Sequence, residues 1–490
     1  MTHDSTAPPP ADAPDDLDRR VARLLKPEPD SRPFVLGGAG RDALRRMAAG
    51  IAGRIPDGPG PVAVVSEDRA VVAASVLAAL GQNFSLVLPY ATTQDAVAEI
   101  HARSPLRAAV TDHPESLPAG IPAVTPTIET APRGGGPAGP PETAPPAPPA
   151  GIDLDIESVC FFTGGSTGRP QVWTKTPRNL LAEAQYHARR LAVGPADRIL
   201  STVVPYHIYG FLFTVLMPLL GSAAVIPGRP DFPEEIRGAI TRSGATILVS
   251  VPVHYRIIGD APLPDNRLRT ALSSAGRLDP DDGKAFYRAT GCHVTEVYGS
   301  TETGGIATRR RTAGESGFHP LAGIDWTLDG DRLRVRSPFL PPSLPRDARG
   351  YFQTGDRARS DGAGGFVLTG RADGIIKVGG NRVDLEAVRS RLEALDGVAE
   401  AVVIARTEGG GRETELRAAV RGTIDHDTLV AAISRITPAH HRPRSVRIVD
   451  RIPVTPAGKV DRRAVEALFG DFSALFLKDC QKKQGNLRGN

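Results

Sequence analysis

Along this 490-residue chain, the residues best able to do chemistry fall in six short segments. The first, Thr163-Gly164-Gly165-Ser166-Thr167-Gly168-Arg169-Pro170, mixes glycines with hydroxyls. Glycines let backbone N–H groups approach an anion and hydroxyls donate to phosphate oxygens, so one reading is a phosphate-holding loop. A second takes Gly164, Ser166 and Gly168 as the G-x-S-x-G of a hydrolase nucleophile elbow, with SVCFF as the strand before it. An elbow serine opens a helix, whereas Pro170 and the run QVWTKT favour a strand, so the serine hydrolase is kept as the alternative. The Gly-Lys pairs at Lys284 and Lys459 are followed by Ala and Val, which rules out a Walker loop. Gly134, Gly136 and Gly139 spell G-x-G-x-x-G, but no strand precedes them and Pro137 and Pro140 flank the run, so the dinucleotide context is missing.

Lysine usage singles out further residues. Only 8 of the 59 basic residues are lysine, and Lys175, Lys377 and Lys459 fall in or beside these segments, where a compact ammonium does what a guanidinium fork cannot. Lys26 and Lys284 read as surface residues. Glu302 follows the apolar run HVTEVYG, at the end of a strand where parallel sheets bind ligands, and its carboxylate oxygen suits a hard divalent cation. The bland alternative for it is a solvated surface carboxylate.

The other segments are PYHIYG (205–210), YGSTE (298–302), TGD (354–356), GRADGIIKVGG (370–380) and TPAGK (455–459). In this order, over about residues 60 to 468, the chain resembles the adenylate-forming superfamily of acyl-CoA synthetases, peptide-synthetase adenylation domains and luciferases. HIYGFLF and YGSTETGGIA look most like the small bacterial synthetases of aryl-polyene and aromatic secondary-metabolite pathways. The resemblance implies ATP and Mg²⁺ as cofactors. It assigns Thr163, Ser166, Thr167 and Gly168 to the β and γ phosphates, and Thr301 and Glu302 to the α-phosphate and the metal. Ser274-Ala275-Gly276 is the adenine loop, Tyr298 stacks on adenine with Gly299 and Ser300 beside it, and Asp356 and Arg371 meet the ribose. The resemblance further makes Lys377 and Lys459 nucleotide contacts, with Lys459 also catalytic, and His207 a gate beside the acid tunnel. The implied reaction is attack of a carboxylate on the α-phosphate of MgATP, loss of pyrophosphate, rotation of a small domain about Asp373, and attack of a pantetheine thiol, giving a thioester and AMP. The thiol belongs to CoA or an acyl carrier protein.

Two departures stand out. Relatives continue the phosphate loop with Pro-Lys, but Pro170 is followed by Gln171, so that lysine's role is absent or falls to Lys175 or Arg169. The adenine loop is less glycine-rich than in relatives. Amino-acid-activating relatives place an Asp shortly after His207 to pair the amine, and IYGFLFTVLMP has no acid, so the small-molecule acid is expected to be aryl or unsaturated rather than an α-amino acid. Nitrite as the oxyanion, for diazotisation of an aromatic amine, remains open.

The elements that must position these residues read as an α/β chain. VAVVS, SLVLPY, SVCFFTGG, RILSTVVP, ATILVSVP and HVTEVYG alternate with helical stretches in the rhythm of parallel sheets. Residues 1–30 read as a disordered tail, 31–372 as the adenylating domain with a Pro/Gly-rich loop over 120–152 and a β subdomain over about 306–370. Residues 373–470 read as a mobile α+β domain with its hinge at Asp373, the active site being expected in the cleft between it and the adenylating domain, and 471–490 as a tail. In DLEAVRSRLEAL, Leu385, Val388, Leu392 and Leu395 share one helix face. A formal charge of +4 with scattered basic residues excludes a nucleic-acid stripe. Three separated cysteines and an acidic, Pro-rich N-terminus point to the cytoplasm. Ile208 to Ile226 is apolar enough to test against the ~20 residues of a membrane span, but Pro218, Gly221 and Ser222 interrupt it, so a core helix and strand are expected.

Overall fold

The computed structural model describes residues 14–26, 29–127, 153–163, 171–378, 381–407, 414–436, 442–456 and 458–469. They form two units. The first holds the chain to Thr354, Arg359–Val367 and Pro456–Gly458; the second holds Gly355–Ala358, Leu368–Thr455 and the chain from Lys459.

In the first unit, short apolar runs form strands buried on both faces, as parallel sheets require. One six-stranded sheet is ordered Ala123–Val124, Ala108–Thr111, Val62–Val65, Leu86–Leu88, Val159–Thr163, Gln171–Lys175. Its pairs are parallel except the last, in which Val159 lies opposite Lys175 and Thr163 opposite Gln171. A seven-stranded sheet is ordered His319–Pro320, Gly304–Arg309, Val294–Ser300, Thr270–Ser273, Ile247–Ser250, Arg198–Ser201, Ala224–Val225. From Val294–Ser300 to Ala224–Val225 its pairs are parallel, and the first two strands add antiparallel.

Two helices of the first unit show local reasons for where they begin. Arg69–Gln82 starts at Asp68, whose carboxylate accepts from the Ala70 and Val71 N–H groups, and it is buried from Arg69 to Leu80. Pro177–Arg190 starts at Thr176 with a reciprocal cap: Thr176 Oγ1 accepts from the Asn179 N–H and Asn179 Oδ1 accepts from the Thr176 N–H. The second unit packs helices Leu385–Glu393 and His426–Ile436 on a sheet of Val398–Thr407, Thr414–Gly422 and Ser445–Ile448. Val388, Leu392, Ala401, Leu416, Val420 and Leu429 form its core, with Leu395 packed at its edge.

One sequence expectation needs amendment. Pro14–Leu25, inside the stretch read as a disordered tail, is a helix whose Leu17 and Val21 are buried in the core of the first unit. Overall paucity of apolar residues hid a stripe at Leu17, Val21, Leu24 and Leu25, enough to dock one helix face. The stretch 208–226 meets its expectation: a buried helix, Ile208–Phe211 through a π turn over Leu212–Leu216 to Met217–Gly221, is followed by the strand Ala224–Val225. Among the described residues, no helix is long and apolar enough to cross a membrane.

Candidate active site

The parallel strands of the seven-stranded sheet end together, and hydroxyls collect there. Thr202 Oγ1 and Ser250 Oγ are 2.7 Å apart, and His254 Nδ1 lies 2.6 Å from Thr202 Oγ1. Ser274 Oγ donates to the Val297 carbonyl at 2.8 Å, tying the segment expected to form the adenine loop to the strand that carries Tyr298. Ala275 holds φ at +69°, the left-handed region that glycine occupies more cheaply. Gly276 is exposed.

His254, which sequence reasoning missed, has a pKa pulled down to about 4, by burial first and by the Arg229 charge second. The folded state thus holds it neutral, while the unfolded chain takes a proton below its ordinary pKa of 6.5. Stability is therefore undiminished above that value and is lost as pH falls toward 4. Between roughly pH 7.5 and pH 5 the loss from this one group is about 2 kcal/mol. Urea unfolding at the two pH values should show His254→Gln losing that much less stability than the unsubstituted chain.

The strand Val294–Ser300 is locked to Gly304–Arg309 by buried Glu296, whose carboxylate accepts from Arg309 Nε and Nη2 and from Arg311 Nε, each at 2.9 Å. Tyr298 is half-buried, its ring centroid 5.4 Å from Phe318 and 5.7 Å from Phe366. Gly299 is dictated by close approach: a Cβ there would lie 2.2 Å from the Gly304 carbonyl oxygen. Gly299→Ala is expected to lower stability by about 1–3 kcal/mol through overpacking and to weaken ATP binding with it; urea titration and nucleotide titration check the two. Ser300 and Thr303 face each other with hydroxyl oxygens 2.8 Å apart, Thr301 is buried, and Glu302 is half-buried.

Lys175 is placed differently from a phosphate-loop lysine. Its side chain is fully buried, and Nζ donates to the carbonyls of Glu302 at 2.9 Å and Phe339 at 2.8 Å. Both donations are backbone contacts inside the unit, so the phosphate role offered to it by the Gln171 departure does not fall to Lys175. The sequence had marked the residue by the rarity of lysine and by the Gln171 departure, neither of which points to these carbonyls. Glu183 and His187, unmarked by any motif, lie one turn apart on Pro177–Arg190 and are buried beside Gly305. Glu183 Oε1 accepts from the Gly305 N–H at 2.7 Å. Burial raises the Glu183 pKa and lowers that of Lys175, each opposed by the other's charge.

Thr163 ends its strand half-buried, while Ser166, Thr167, Gly168 and Arg169 lie outside the described residues. At Gln171 the chain enters a strand, not a helix, which is not the surroundings of a nucleophile elbow. His207 stands just before the helix Ile208–Phe211, its carbonyl accepting from the Phe211 N–H at 2.7 Å and its ring 5.4 Å from Tyr206. Gly210 of that motif is again a close approach, since a Cβ would lie 2.0 Å from the Val204 carbonyl oxygen.

In the second unit, Arg371 Nη1 donates to Asp356 Oδ1 at 3.3 Å, so the two expected ribose contacts stand together. Asp373 lies in the single 3₁₀ turn Ala372–Gly374, and Lys377 in the strand Ile375–Val378, opposite Arg382. Lys459 is exposed at the end of a turn in which the Thr455 N–H donates to its carbonyl at 2.7 Å. Among the described residues there is no cluster of three or more His, Cys, Asp or Glu able to hold a metal alone. A single carboxylate such as Glu302 fits Mg²⁺, which takes one or two carboxylates and completes its shell with substrate phosphates and water.

The fold and the ordered segments define a class, the adenylate-forming enzymes. A family model described as "AMP-binding enzyme" matches residues 41–338, more than half of the chain, and the chain belongs to that family. Sulfoacetate–CoA ligase of Cupriavidus necator is 29% identical over 355 residues, which cover 66% of this chain and 68% of that enzyme. Acetyl-coenzyme A synthetase of Syntrophus aciditrophicus is 26% identical over 382 residues, 66% of this chain but only 58% of that enzyme, less than two thirds of its length. The solved structure of ATP-bound MatB from Rhodopseudomonas palustris shares the fold, with a TM-score of 0.74 at 19% identity over 92% of this chain and 99% of that one.

Proposed function

We propose that this protein joins a carboxylic acid to AMP at the expense of ATP and passes the acyl group to a pantetheine thiol, of CoA or of an acyl carrier protein. The observation that carries this reading is the Tyr298–Glu302 segment, which in an AMP-binding enzyme ends a strand of the parallel sheet beside the Ser274–Gly276 loop. In the first half-reaction a carboxylate oxygen attacks the α-phosphorus, the bond to the bridging oxygen breaks, and pyrophosphate leaves. Mg²⁺, when bound, neutralises charge on the phosphates as that bond breaks. Glu302 holds it, Thr301 donates to the α-phosphate, Tyr298 covers adenine, and Asp356 accepts from the ribose hydroxyls. Lys459 stabilises the negative charge that develops as the carboxylate attacks. In the second half-reaction the thiolate sulfur attacks the acyl carbon and AMP leaves with the former carboxylate oxygen.

An aryl or unsaturated acid is favoured by the stretch after His207, which has no acidic side chain and sets the Tyr209 and Phe213 rings 5.3 Å apart. A buried α-ammonium there lacks the carboxylate it needs. The experiment is pyrophosphate release from MgATP across aryl, fatty and amino acids and nitrite, with CoA, carrier protein or an aromatic amine as acceptor. Release driven by an aryl or unsaturated acid, with thioester formation, is the expected result. Release driven by nitrite with an amine acceptor changes the oxyanion, and ester cleavage without ATP replaces the reading by a hydrolase.

A further inference from the structure

We propose that Lys175 and Glu183 are positioning residues, a buried bracket that holds the Glu302–Gly305 turn from both ends so that the Glu302 carboxylate is presented to the metal in one pose. This rests on the reading of Glu302 as the metal-binding carboxylate.

The bracket is made of two side chains that use backbone groups of one turn. Antiparallel pairing sets Gly299 opposite Gly305 and Ser300 opposite Gly304, which leaves residues 301–303 as the connection. Lys175 Nζ takes the Glu302 carbonyl at 2.9 Å, and Glu183 Oε1 takes the Gly305 N–H at 2.7 Å. The turn is shaped to admit the carboxylate: a Cβ on Gly304 would come 2.4 Å from Glu183 Oε2, and one on Gly305 would come 3.0 Å from Glu183 Oε1. Gly304 also holds φ at +71°. Glu183 and the two glycines therefore fit as one unit.

Simple packing is a poor account of these residues. An apolar side chain at position 175 would fill the same strand without burying an ammonium, and replacing buried charges by apolar groups is often neutral or stabilising. What a methionine could not do is donate to two carbonyls at once. Lys175 does so to Glu302 and to Phe339, at 2.8 Å, linking the turn to the segment Ser337–Ser343. That segment is fixed independently to the strand before Lys175, because Glu157 accepts from both the Ser343 N–H and Thr174 Oγ1. The two buried charges compensate each other, so removing either alone strands its partner in the interior.

The test removes both charges together, in Lys175→Met with Glu183→Gln, and compares that protein with Glu302→Gln and with the triple variant. Amide hydrogen exchange without nucleotide should speed up at residues 301–305 by at least about tenfold and stay unchanged at Thr270–Ser273. The Mg²⁺ concentration that half-saturates ATP–pyrophosphate exchange should rise by about 10- to 100-fold, with the acid KM unmoved. On the Glu302→Gln background the same pair should cause no further rise, because both act through one carboxylate. Unchanged exchange at 301–305 in the folded paired variant overturns the proposal, as does an additive loss in the triple variant. If Glu302→Gln leaves Mg²⁺ dependence intact, the metal reading fails, and the bracket's claim on Glu302 falls with it even where exchange speeds up. Should the paired variant not fold, the unsubstituted chain decides: the Gly305 amide must exchange at least about a hundredfold more slowly than the exposed turn at Gly330, and equal rates overturn the proposal.

Discussion

Lys459→Ala should slow release of pyrophosphate by roughly a hundred- to a thousand-fold, the usual cost of removing one positioned donor from a developing negative charge. The same variant, supplied with pre-formed acyl adenylate, should still transfer the acyl group to its thiol. The local structure suits so confined a role. The turn Thr455 to Lys459 is closed by the Thr455 N–H on the Lys459 carbonyl at 2.7 Å and by the Lys459 N–H on Thr455 Oγ1 at 3.3 Å, with Gly458 at φ +72°. Truncating an exposed side chain there leaves the backbone of the turn intact. Single-turnover measurements of the two half-reactions check the asymmetry. Impairment of neither makes Lys459 an ordinary surface lysine, and equal impairment of both contradicts the two-conformation mechanism.

Asp373→Pro should give the converse signature: pyrophosphate release retained, thioester formation reduced by about a hundred-fold, the scale on which misplaced reactants lose rate. Proline fixes φ and removes the N–H, and position 373 sits in one short 3₁₀ turn between the strands Phe366–Arg371 and Ile375–Val378. A hinge works by letting a few backbone angles change, so a residue that holds φ constant arrests the second step while leaving the first in place. Adenylate accumulates in the quenched reaction if this is right. If thioester forms at the unsubstituted rate, Asp373 is not the hinge.

The fold class was legible because each apolar run, such as VAVV or ILVS, is short, continuous and followed by a helical pattern, and a strand buried on both faces has no other way to be written. The glycines of YGSTE and PYHIYG were legible only as motif letters. The structure supplies their cause, the carbonyls of Gly304 and Val204 that a Cβ would strike. Less could be read where the partners are far apart along the chain. Lys175 reaches Glu302 across 127 residues, and His254 reaches Thr202 across 52, with no local pattern announcing either. Helix Pro14–Leu25 was missed for a different reason: its few apolar residues are all on one face, and averaging over the segment erased them.

The most direct test of the adenylation claim follows an atom. With an acid carrying ¹⁸O in both carboxylate oxygens, attack on the α-phosphorus followed by thiolysis must leave one ¹⁸O in AMP and one in the thioester carbonyl, and none in pyrophosphate. Mass spectrometry of AMP from a complete reaction reads this directly. AMP carrying one ¹⁸O per turnover is the predicted result; unlabelled AMP, or label in inorganic phosphate with ADP as the nucleotide product, contradicts the account.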